Sequence, residues 1–307
     1  MKKVLLIILI VFTFTFMGCS SDYLDKEVTE TTNINVLQAK YEALLNKKEE
    51  LENDIIRLKN LSSEYEFLIT ELEEKLVLVE EELQQAFEKL DLINKQIIKG
   101  TVLVSQVSFN TEDWWFIHNK VDGLSTFGSG FIFKYQDGYY YLLTNNHVIE
   151  VLENREDNEI YIKDYQGDQY DATIVCASSY YDMAVLKFKS SKSYYICKFA
   201  NEDAVVGDDV FVFGNPKGQF QSVSTGKVKC YRYVTTTSGF KTNYECVETT
   251  AFTLGGSSGG LISNTDFEII GITTYGAATI SYVTYDNLGS PVSKIKEFLS
   301  KNNISIG

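Results

Sequence analysis

The chain has 307 residues and a formal net charge of −14, from 42 acidic and 28 basic side chains. This acidic excess, without any basic stripe, argues against nucleic acid as a partner. The two histidines and five cysteines are spaced like no zinc motif, so we expect neither a metal nor another cofactor.

Residues 1–18 are predicted to be a secretory signal peptide. Two lysines precede an apolar run from Val4 to Phe16, which is too short to cross a membrane as a helix. Gly18 directly before Cys19 is similar to the lipobox of bacterial lipoproteins, although phenylalanine replaces the usual leucine. That resemblance implies a lipid on Cys19 and a chain anchored to the extracytoplasmic face of the cell membrane. The alternative is an ordinary signal peptide with an unmodified cysteine.

Residues 19–35 are predicted to be a polar linker, and residues 36–99 a coiled-coil stalk. Mostly apolar residues recur with a seven-residue period, unbroken by proline or glycine. The period favours one continuous helix and a homo-oligomer, either dimer or trimer. The alternative is an intramolecular hairpin that turns near Asn60–Ser63. Positions a are Tyr41, Lys48, Ile55, Ser62, Ile69, Leu76, Leu83, Leu90 and Ile97, and positions d are Leu44, Leu51, Leu58, Tyr65, Leu72, Val79, Ala86 and Ile93.

Residues 100–307 are predicted to be a mainly β domain. Short segments rich in β-branched and aromatic residues alternate with glycine, aspartate and asparagine, which is typical of one or two β-barrels. A final helix is expected over Pro291–Leu299. The predicted strands are Thr101–Val107, Gly130–Tyr135, Tyr139–Thr144, Ile160–Lys163, Ala172–Cys176, Met183–Phe188, Val210–Phe213, Lys227–Thr235, Tyr244–Thr250 and Glu268–Tyr275.

Three short motifs carry residues suited to covalent catalysis. The run Gly256–Gly260 surrounds Ser258 with small residues, which leave a hydroxyl exposed and backbone amides free to face a developing negative charge. His147 and Asp182 lie upstream, each beside a predicted strand. The order His, Asp, Ser is that of chymotrypsin-type barrels.

Together these motifs resemble the trypsin-like serine proteases, and among them the bacterial HtrA type. The resemblance covers residues 101–300 and implies two six-stranded antiparallel β-barrels that hydrolyse polypeptide substrates through an acyl-enzyme. Further matching segments are Gly128–Phe133, Leu143–Ile149, Asp182–Lys187, Val206–Asp208, Gly214–Gly218, Ser222–Gly226 and Ile270–Ile272.

The resemblance also implies a role for each candidate residue. Ser258 would be the nucleophile, His147 the general base, and Asp182 the group that orients the histidine. An oxyanion hole is expected from the amides of Gly256, Ser257 and Ser258. Substrate contacts are expected from Phe252, Thr273, Thr274 and Tyr275. The competing candidates are His118 for the base, Asp164 and Asp171 for the orienting group, and Ser257 for the nucleophile.

Departures from the family pattern limit what carries over. Ser257 stands where the family has asparagine or aspartate, so activation by a salt bridge to a new N-terminus is not expected. Phe252 favours a small or medium apolar side chain before the scissile bond. No PDZ domain is expected after Gly307. These departures leave one alternative function, a catalytically weak scaffold or binding protein recruited through its coiled coil.

Cys230 and Cys246 lie almost symmetrically about a predicted turn near Thr237–Gly239. Outside the cytoplasm such a pair could form a cross-strand disulfide. Two buried free thiols are the alternative, and the sequence does not decide between them.

Overall fold

A computed structural model describes residues 34–59, 66–114, 117–218, 222–233, 242–276 and 287–306. The predicted signal peptide, Cys19 and nearly all of the predicted linker lie outside these ranges. None of the described helices is both long enough and apolar enough to span a membrane. The helices are α1 (Ile34–Lys59), α2 (Glu66–Lys95), α3 (Asn146–Ile149) and α4 (Val292–Lys301), with 3₁₀ turns at Ile97–Gly100 and Pro216–Gly218.

Twelve described strands form two closed antiparallel barrels of six strands each, in the orders β1-β2-β3-β6-β5-β4 and β10-β11-β12-β9-β8-β7. The first barrel contains β1 (Thr101–Trp114), β2 (Ile117–Gln136), β3 (Tyr139–Thr144), β4 (Asp157–Lys163), β5 (Gln169–Ser178) and β6 (Met183–Lys189). The second contains β7 (Asp209–Gly214), β8 (Ser222–Arg232), β9 (Cys246–Thr249), β10 (Leu261–Ser263), β11 (Ile269–Gly276) and β12 (Asn287–Pro291).

The predicted fold class is confirmed: the domain is mainly β, with two six-stranded antiparallel barrels of chymotrypsin-like type. Strands β10 and β12 were not predicted. Their three and five residues are too few to show a period of two, and β12 contains a glycine and ends in proline. The predicted closing helix is confirmed as α4, which begins just after Pro291.

Alternating apolar side chains fill each barrel and a third cluster joins the barrels. In the first barrel, fully buried residues such as Val104, Ile132 and Leu186 share one cluster. In the second, Val212 and Ile262 belong to the corresponding cluster. The joining cluster contains residues from both barrels and from helix α4, so the barrels are packed together through apolar burial. This packing positions the loops between the barrels.

The two long helices form an antiparallel pair, so the expectation of one continuous helix was wrong. Near the start of α1, Tyr41 contacts Phe87, with ring centroids 6.1 Å apart. Further along, Lys48 pairs with Glu80 at 2.9 Å, and near the end of α1 Lys59 pairs with Glu73 at 2.6 Å. The pairing advances in opposite directions along the two helices, as in a hairpin.

Apolar side chains at the a and d positions of α1 and α2 are buried against each other within a single chain. Leu44 from α1 is buried with Val79 and Ala86 from α2, and Leu51 and Leu83 pack against them. These five residues occupy a and d positions of the predicted coiled coil. The alternative of a hairpin therefore fits the described residues, and the seam no longer requires a second chain.

The end of α2 is anchored between the two barrels. Ile93 and Ile97 are fully buried in the cluster that joins the two barrels. Gly100 then makes a close approach, because a Cβ there would lie 2.7 Å from the carbonyl oxygen of Tyr195. The helical pair is thus attached to the barrels through the C-terminal end of α2.

The four described cysteines, Cys176, Cys197, Cys230 and Cys246, are all free thiols. In the β8–β9 ladder Cys230 lies opposite Glu248, and Cys246 lies opposite Arg232. The two cysteines are therefore offset along the hairpin and do not face each other. Both are free thiols, as in the second alternative, but only Cys246 is buried and Cys230 is partly exposed.

Candidate active site

Strand pairing in the first barrel places His147 and Asp182 at the same end. Strand β3 pairs with β6, with Thr144 opposite Ala184. His147 follows β3 in the short helix α3, and Asp182 directly precedes β6. Because antiparallel partners begin and end at shared edges, residues just after one strand and just before the other must lie close together.

The imidazole and the carboxylate are joined by a short hydrogen bond. His147 Nδ1 lies 2.7 Å from Asp182 Oδ2, and the backbone N–H of His147 donates to Asp182 Oδ1 at 3.0 Å. The Asp182 side chain is 12% exposed, whereas that of His147 is 42% exposed. A shielded carboxylate thus holds an imidazole whose other nitrogen remains accessible.

Asp182 has an unusual backbone conformation. Its φ is +51°, in the left-handed region that costs non-glycine residues roughly 1–2 kcal/mol. Asn145, which is fully buried, donates from Nδ2 to the Asp182 carbonyl oxygen at 2.8 Å. Asn145 has no signal of its own in the sequence beyond its place in the histidine motif, so sequence reasoning missed this contact.

The two competing aspartates are placed elsewhere. Asp164 is fully buried, and its carboxylate accepts hydrogen bonds from Lys192 at 2.8 Å and from Tyr194 at 2.9 Å. Asp171 is exposed on β5. Neither forms a described contact with His147. His118 lies in strand β2, but its side chain is outside the described structure.

Ser258 lies in a tight loop between two glycines with positive φ, Gly256 at +96° and Gly259 at +84°. A Cβ at Gly256 would lie 2.6 Å from the carbonyl oxygen of Asn215, and one at Gly259 would lie 2.1 Å from that of Ser129. Both positions therefore require glycine for conformation and for space. Ser258 itself is half-buried.

Backbone hydrogen bonds tie this loop to both barrels. The N–H of Ser129 in β2 donates to the Ser258 carbonyl oxygen at 2.7 Å. From the second barrel, Thr273 accepts from Gly259 N–H and donates to the Gly260 carbonyl oxygen, both at 2.8 Å. Thr273 was expected to contact substrate, but its backbone groups are used to brace the loop.

Gly128 brings the serine loop and the histidine helix together. A Cβ at Gly128 would lie 2.6 Å from Val148 Cγ2 and 2.9 Å from the Ser258 carbonyl oxygen. Val148 directly follows His147, so the histidine helix and the serine loop approach each other across this glycine. No hydrogen bond between Ser258 Oγ and His147 is present in the described structure. Catalytic hydrogen bonds are often long before substrate binds.

Two amides of the loop have no hydrogen-bond partner among the described residues, those of Gly256 and Ser258. The amide of Ser257 instead donates to the Leu254 carbonyl oxygen at 2.9 Å, and its side chain is buried. Ser257 is therefore not a donor of the expected oxyanion hole, and this expectation is corrected. The amides of Gly256 and Ser258 remain as the candidate donors of such a hole.

The other residues expected to contact substrate, Phe252, Thr274 and Tyr275, lie in three different surroundings. Phe252 is half-buried and lines a small cavity behind the loop together with Ser222, Ser224 and Ser257. Thr274 is buried at a β-bulge, where Asn145 Nδ2 approaches its Oγ1 at 3.4 Å. Thr274 thus supports Asp182 through Asn145. Tyr275 continues β11, but its side chain is outside the described structure.

Residues 128–272 match the family described as the trypsin-like peptidase domain. All three candidate residues lie inside that segment. The matched segment is a little under half of the chain, and the match agrees with the chymotrypsin-like two-barrel fold. Within the described ranges, no three His, Cys, Asp or Glu side chains gather as a metal site.

Several curated proteins are similar to this chain. The serine protease Do-like HtrA of Bacillus subtilis is 31% identical over 187 residues, covering 58% of this chain and 40% of the relative. A probable periplasmic serine protease do/HhoA-like of Haemophilus influenzae is 33% identical over 180 residues, covering 56% and 37%. A DegP-like probable periplasmic serine endoprotease of Buchnera aphidicola is 33% identical over 150 residues, covering 48% and 30%. The match thus spans well under half the length of these relatives.

Proposed function

We propose that this protein is a serine endopeptidase that cleaves polypeptides through an acyl-enzyme. The observation that carries the proposal is the 2.7 Å contact between His147 Nδ1 and Asp182 Oδ2, beside a serine loop with two unpaired amides. The carboxylate accepts the Nδ1 proton, so the lone pair of the neutral imidazole lies on Nε2. Nε2 can then accept a proton from an attacking hydroxyl.

We propose the following reaction, which these positions support. Ser258 Oγ attacks the carbonyl carbon of the substrate while its proton passes to His147 Nε2, and the amides of Gly256 and Ser258 donate to the resulting oxyanion. Collapse breaks the C–N bond, and His147 returns the proton to the leaving amine. A water molecule, deprotonated by His147, then hydrolyses the ester and releases Ser258. Asp182 stabilises the imidazolium in both halves of the cycle.

Labelling with a fluorophosphonate tests the proposal directly. The full chain should be labelled on Ser258 and should degrade unfolded casein. Ser258→Ala should abolish both signals, whereas Ser257→Ala is the matched control and should retain labelling. Labelling that persists in Ser258→Ala, or a folded parent chain that neither labels nor cleaves, would contradict the proposal and favour a scaffold role.

We also propose that the protein is exported and held at the membrane by a lipid on Cys19. Two relatives are named as periplasmic proteases, and the apolar run before Cys19 supports export. Replacing Cys19 by serine should abolish incorporation of radioactive palmitate and release the chain from the membrane fraction. Cys176→Ala is the control and should keep both. Unchanged palmitate labelling of the Cys19 variant would rule out this anchor.

The antiparallel helical pair determines how far from the membrane a lipid on Cys19 would hold the barrels. Because α1 and α2 are antiparallel, Ile34 lies at the end of the pair that is fastened to the barrels, where α1 contacts β8. Ile34 lies 15 positions after Cys19, and that stretch, fully extended, reaches about 50 Å. The pair therefore does not act as a stalk that lifts the barrels from the bilayer. We propose instead that the barrels stay within that reach and the helices project from them.

A further inference from the structure

Hydrogen bonds hold both peptide carbonyls next to the α-carbon of Asp182. On one side, Asn145 Nδ2 donates to the carbonyl oxygen of Asp182 itself at 2.8 Å. On the other, the hydroxyl of Tyr244 donates to the carbonyl oxygen of Tyr181 at 2.7 Å. Tyr244 is 8% exposed and Asn145 is fully buried. Asn145 and Tyr244 thus fix the carbonyl groups on either side of the Asp182 α-carbon, which has the left-handed conformation.

A short series of hydroxyls connects the two donors. Ser290 Oγ lies 2.8 Å from the Tyr244 hydroxyl and 3.3 Å from Thr274 Oγ1, and Thr274 Oγ1 accepts from Asn145 at 3.4 Å. The single proton of Tyr244 goes to the Tyr181 carbonyl, so Ser290 donates to Tyr244. The Thr274 hydroxyl donates to the Ile272 carbonyl oxygen at 3.1 Å, so Ser290 and Thr274 meet at 3.3 Å as a polar contact without a shared proton. We call Asn145, Thr274, Ser290 and Tyr244 the hydroxyl bridge.

The hydroxyl bridge crosses from one barrel to the other. Asn145 follows β3 of the first barrel, whereas Thr274 lies in β11 and Ser290 in β12 of the second. Tyr244 precedes β9 and packs against Tyr181 with ring centroids 6.0 Å apart. Every member is at most 8% exposed. Because water is excluded, these hydrogen bonds are stronger than they would be at the surface.

We propose that Tyr244 is a positioning residue for the Asp182–His147 pair. The proposal rests on the function proposed above and deepens it. The backbone dihedrals of Asp182 aim its carboxylate, whose two oxygens each accept one hydrogen bond from His147. Tyr244 fixes one of the two flanking carbonyls from the opposite barrel. Without its hydroxyl, Asp182 can rotate away from the left-handed conformation and the imidazole loses its orientation.

Tyr181 has a second set of contacts that could hold it without Tyr244. Its hydroxyl donates to Glu297 Oε1 on helix α4 at 2.7 Å, and Lys301 Nζ lies 2.6 Å from the same hydroxyl. These contacts fix the ring, whereas Tyr244 fixes the carbonyl. The carbonyl is the part that belongs to the peptide plane of Asp182, so the ring contacts do not replace the Tyr244 hydrogen bond.

The test compares two tyrosine hydroxyls in the full chain. Tyr244→Phe removes the proposed contact and keeps the ring. Tyr140→Phe is the matched control, since Tyr140 is 7% exposed and its hydroxyl donates to the Lys192 carbonyl oxygen at 2.8 Å in the first barrel. Should Tyr244→Phe fail to fold, Ser290→Ala interrupts the hydroxyl bridge with a smaller change and should give the same effects in weaker form.

Three readouts separate positioning from stability. In Tyr244→Phe we expect kcat to fall roughly 10- to 100-fold, as small displacements of reacting groups do, while KM stays within about twofold of the parent. The proton NMR resonance of His147 Nδ1–H should move upfield or broaden, because its bond to Asp182 weakens. Tyr140→Phe should keep the parent's kcat, KM and Nδ1–H resonance, although both variants should lose similar thermal stability.

Two outcomes would overturn the proposal. One is a Tyr244→Phe variant with the parent's kcat and an unchanged Nδ1–H resonance. The other is an equal loss of kcat in Tyr140→Phe, which would mark a general effect of stability. The resonance reports the Asp182–His147 geometry even in a chain that does not cleave. A parent that fails fluorophosphonate labelling would therefore contradict the proposed function, while the resonance still decides the role of Tyr244.

Discussion

His147 binds the carboxylate of Asp182 twice, through its backbone N–H at 3.0 Å and through Nδ1 at 2.7 Å. Each carboxylate oxygen receives one of the two donors. The ring cannot tilt without lengthening the second contact, and the helix that carries it cannot shift without lengthening the first. One acidic side chain therefore sets both the direction of the imidazole and the position of its backbone.

Asp182→Asn should lower kcat about 10⁴-fold, because an amide presents N–H where Nδ1–H needs an acceptor and so favours the wrong tautomer. The protein should remain folded, since the shape of the side chain is unchanged. Steady-state cleavage of casein-derived peptides measures the loss. Asp171→Asn, on exposed β5, is the control and should stay within twofold. A similar loss in both variants would remove Asp182 from its proposed role.

Gly256→Ala should reduce turnover by at least the roughly 10²–10³-fold that accompanies loss of one oxyanion donor. The new Cβ would lie 2.6 Å from the Asn215 carbonyl oxygen, at a φ of +96°, so the loop must move. Gly255→Ala is the neighbouring control, because its Cβ would meet nothing within 4 Å. Rates of fluorophosphonate labelling give the comparison. Equal labelling of the two variants would contradict the proposed oxyanion hole.

Chemical cross-linking should distinguish the hairpin from a parallel coiled coil. In the double variant Lys48→Cys, Glu80→Cys, a short bismaleimide should join the two positions within one chain, because the native side chains meet at 2.9 Å. In one continuous helix the same positions would be about 48 Å apart. Denaturing electrophoresis, with proteolysis between the sites, detects the intrachain link.

The single variant Lys48→Cys provides the opposite control. A parallel oligomer would bring two copies of this a position together and yield a cross-linked dimer, whereas the hairpin should give none. The parent chain, with the same reagent, accounts for the native thiols. Burial raises the pKa of Cys197 to about 12 and that of Cys246 to about 11, so neither should react. Interchain dimers of Lys48→Cys would count against the hairpin.

Stability should depend on Glu297 at low pH. Hydrogen bonds from Lys294, Lys301 and Tyr181 lower the pKa of Glu297 from 4.5 to about 2. A depressed carboxyl pKa contributes stability above pH 4.5, and that contribution disappears as the pH falls towards 2. The melting temperature of Glu297→Gln should therefore lie below that of the parent at pH 6, and the two should converge by about pH 2.

Glu153→Gln, at an exposed position, serves as the control for that experiment. Its melting temperature should follow the parent across the whole pH range. A constant difference between parent and Glu297→Gln from pH 6 to pH 2 would show that the ionised carboxylate does not stabilise the contact between α4 and Tyr181. Circular dichroism at each pH is sufficient for the measurement.

The barrels were predictable because their signals are local, and the candidate residues could be proposed for the same reason. Strand segments such as Tyr139–Thr144 carry β-branched or aromatic residues between turn residues, and His147, Asp182 and Ser258 each lie in a short motif. The course of the helices was not predictable in this way. An a/d seam looks the same whether the partner is a second chain or the returning half of one chain, so only tertiary contacts such as Leu44 with Val79 decide.

Supporting residues are hidden from the sequence for a related reason. Tyr244 lies 63 positions from Tyr181, and nothing in its neighbourhood indicates a hydrogen bond to that carbonyl. The motif predicts Ser257 as an oxyanion donor, and nothing in it indicates that the Ser257 amide donates to the Leu254 carbonyl oxygen instead. Sequence motifs indicate which atoms react, whereas long-range hydrogen bonds decide how those atoms are held.

The division of the candidate residues between the barrels has a consequence for the newly made chain. His147 and Asp182 belong to the barrel that is synthesised first, and Ser258 to the one that follows. Domains tend to form from the N-terminal end as a polypeptide emerges, so the early half would display a base with no hydroxyl to activate. A nascent molecule would then be unable to digest its own unfinished remainder, and cutting would start only once both halves had closed against each other.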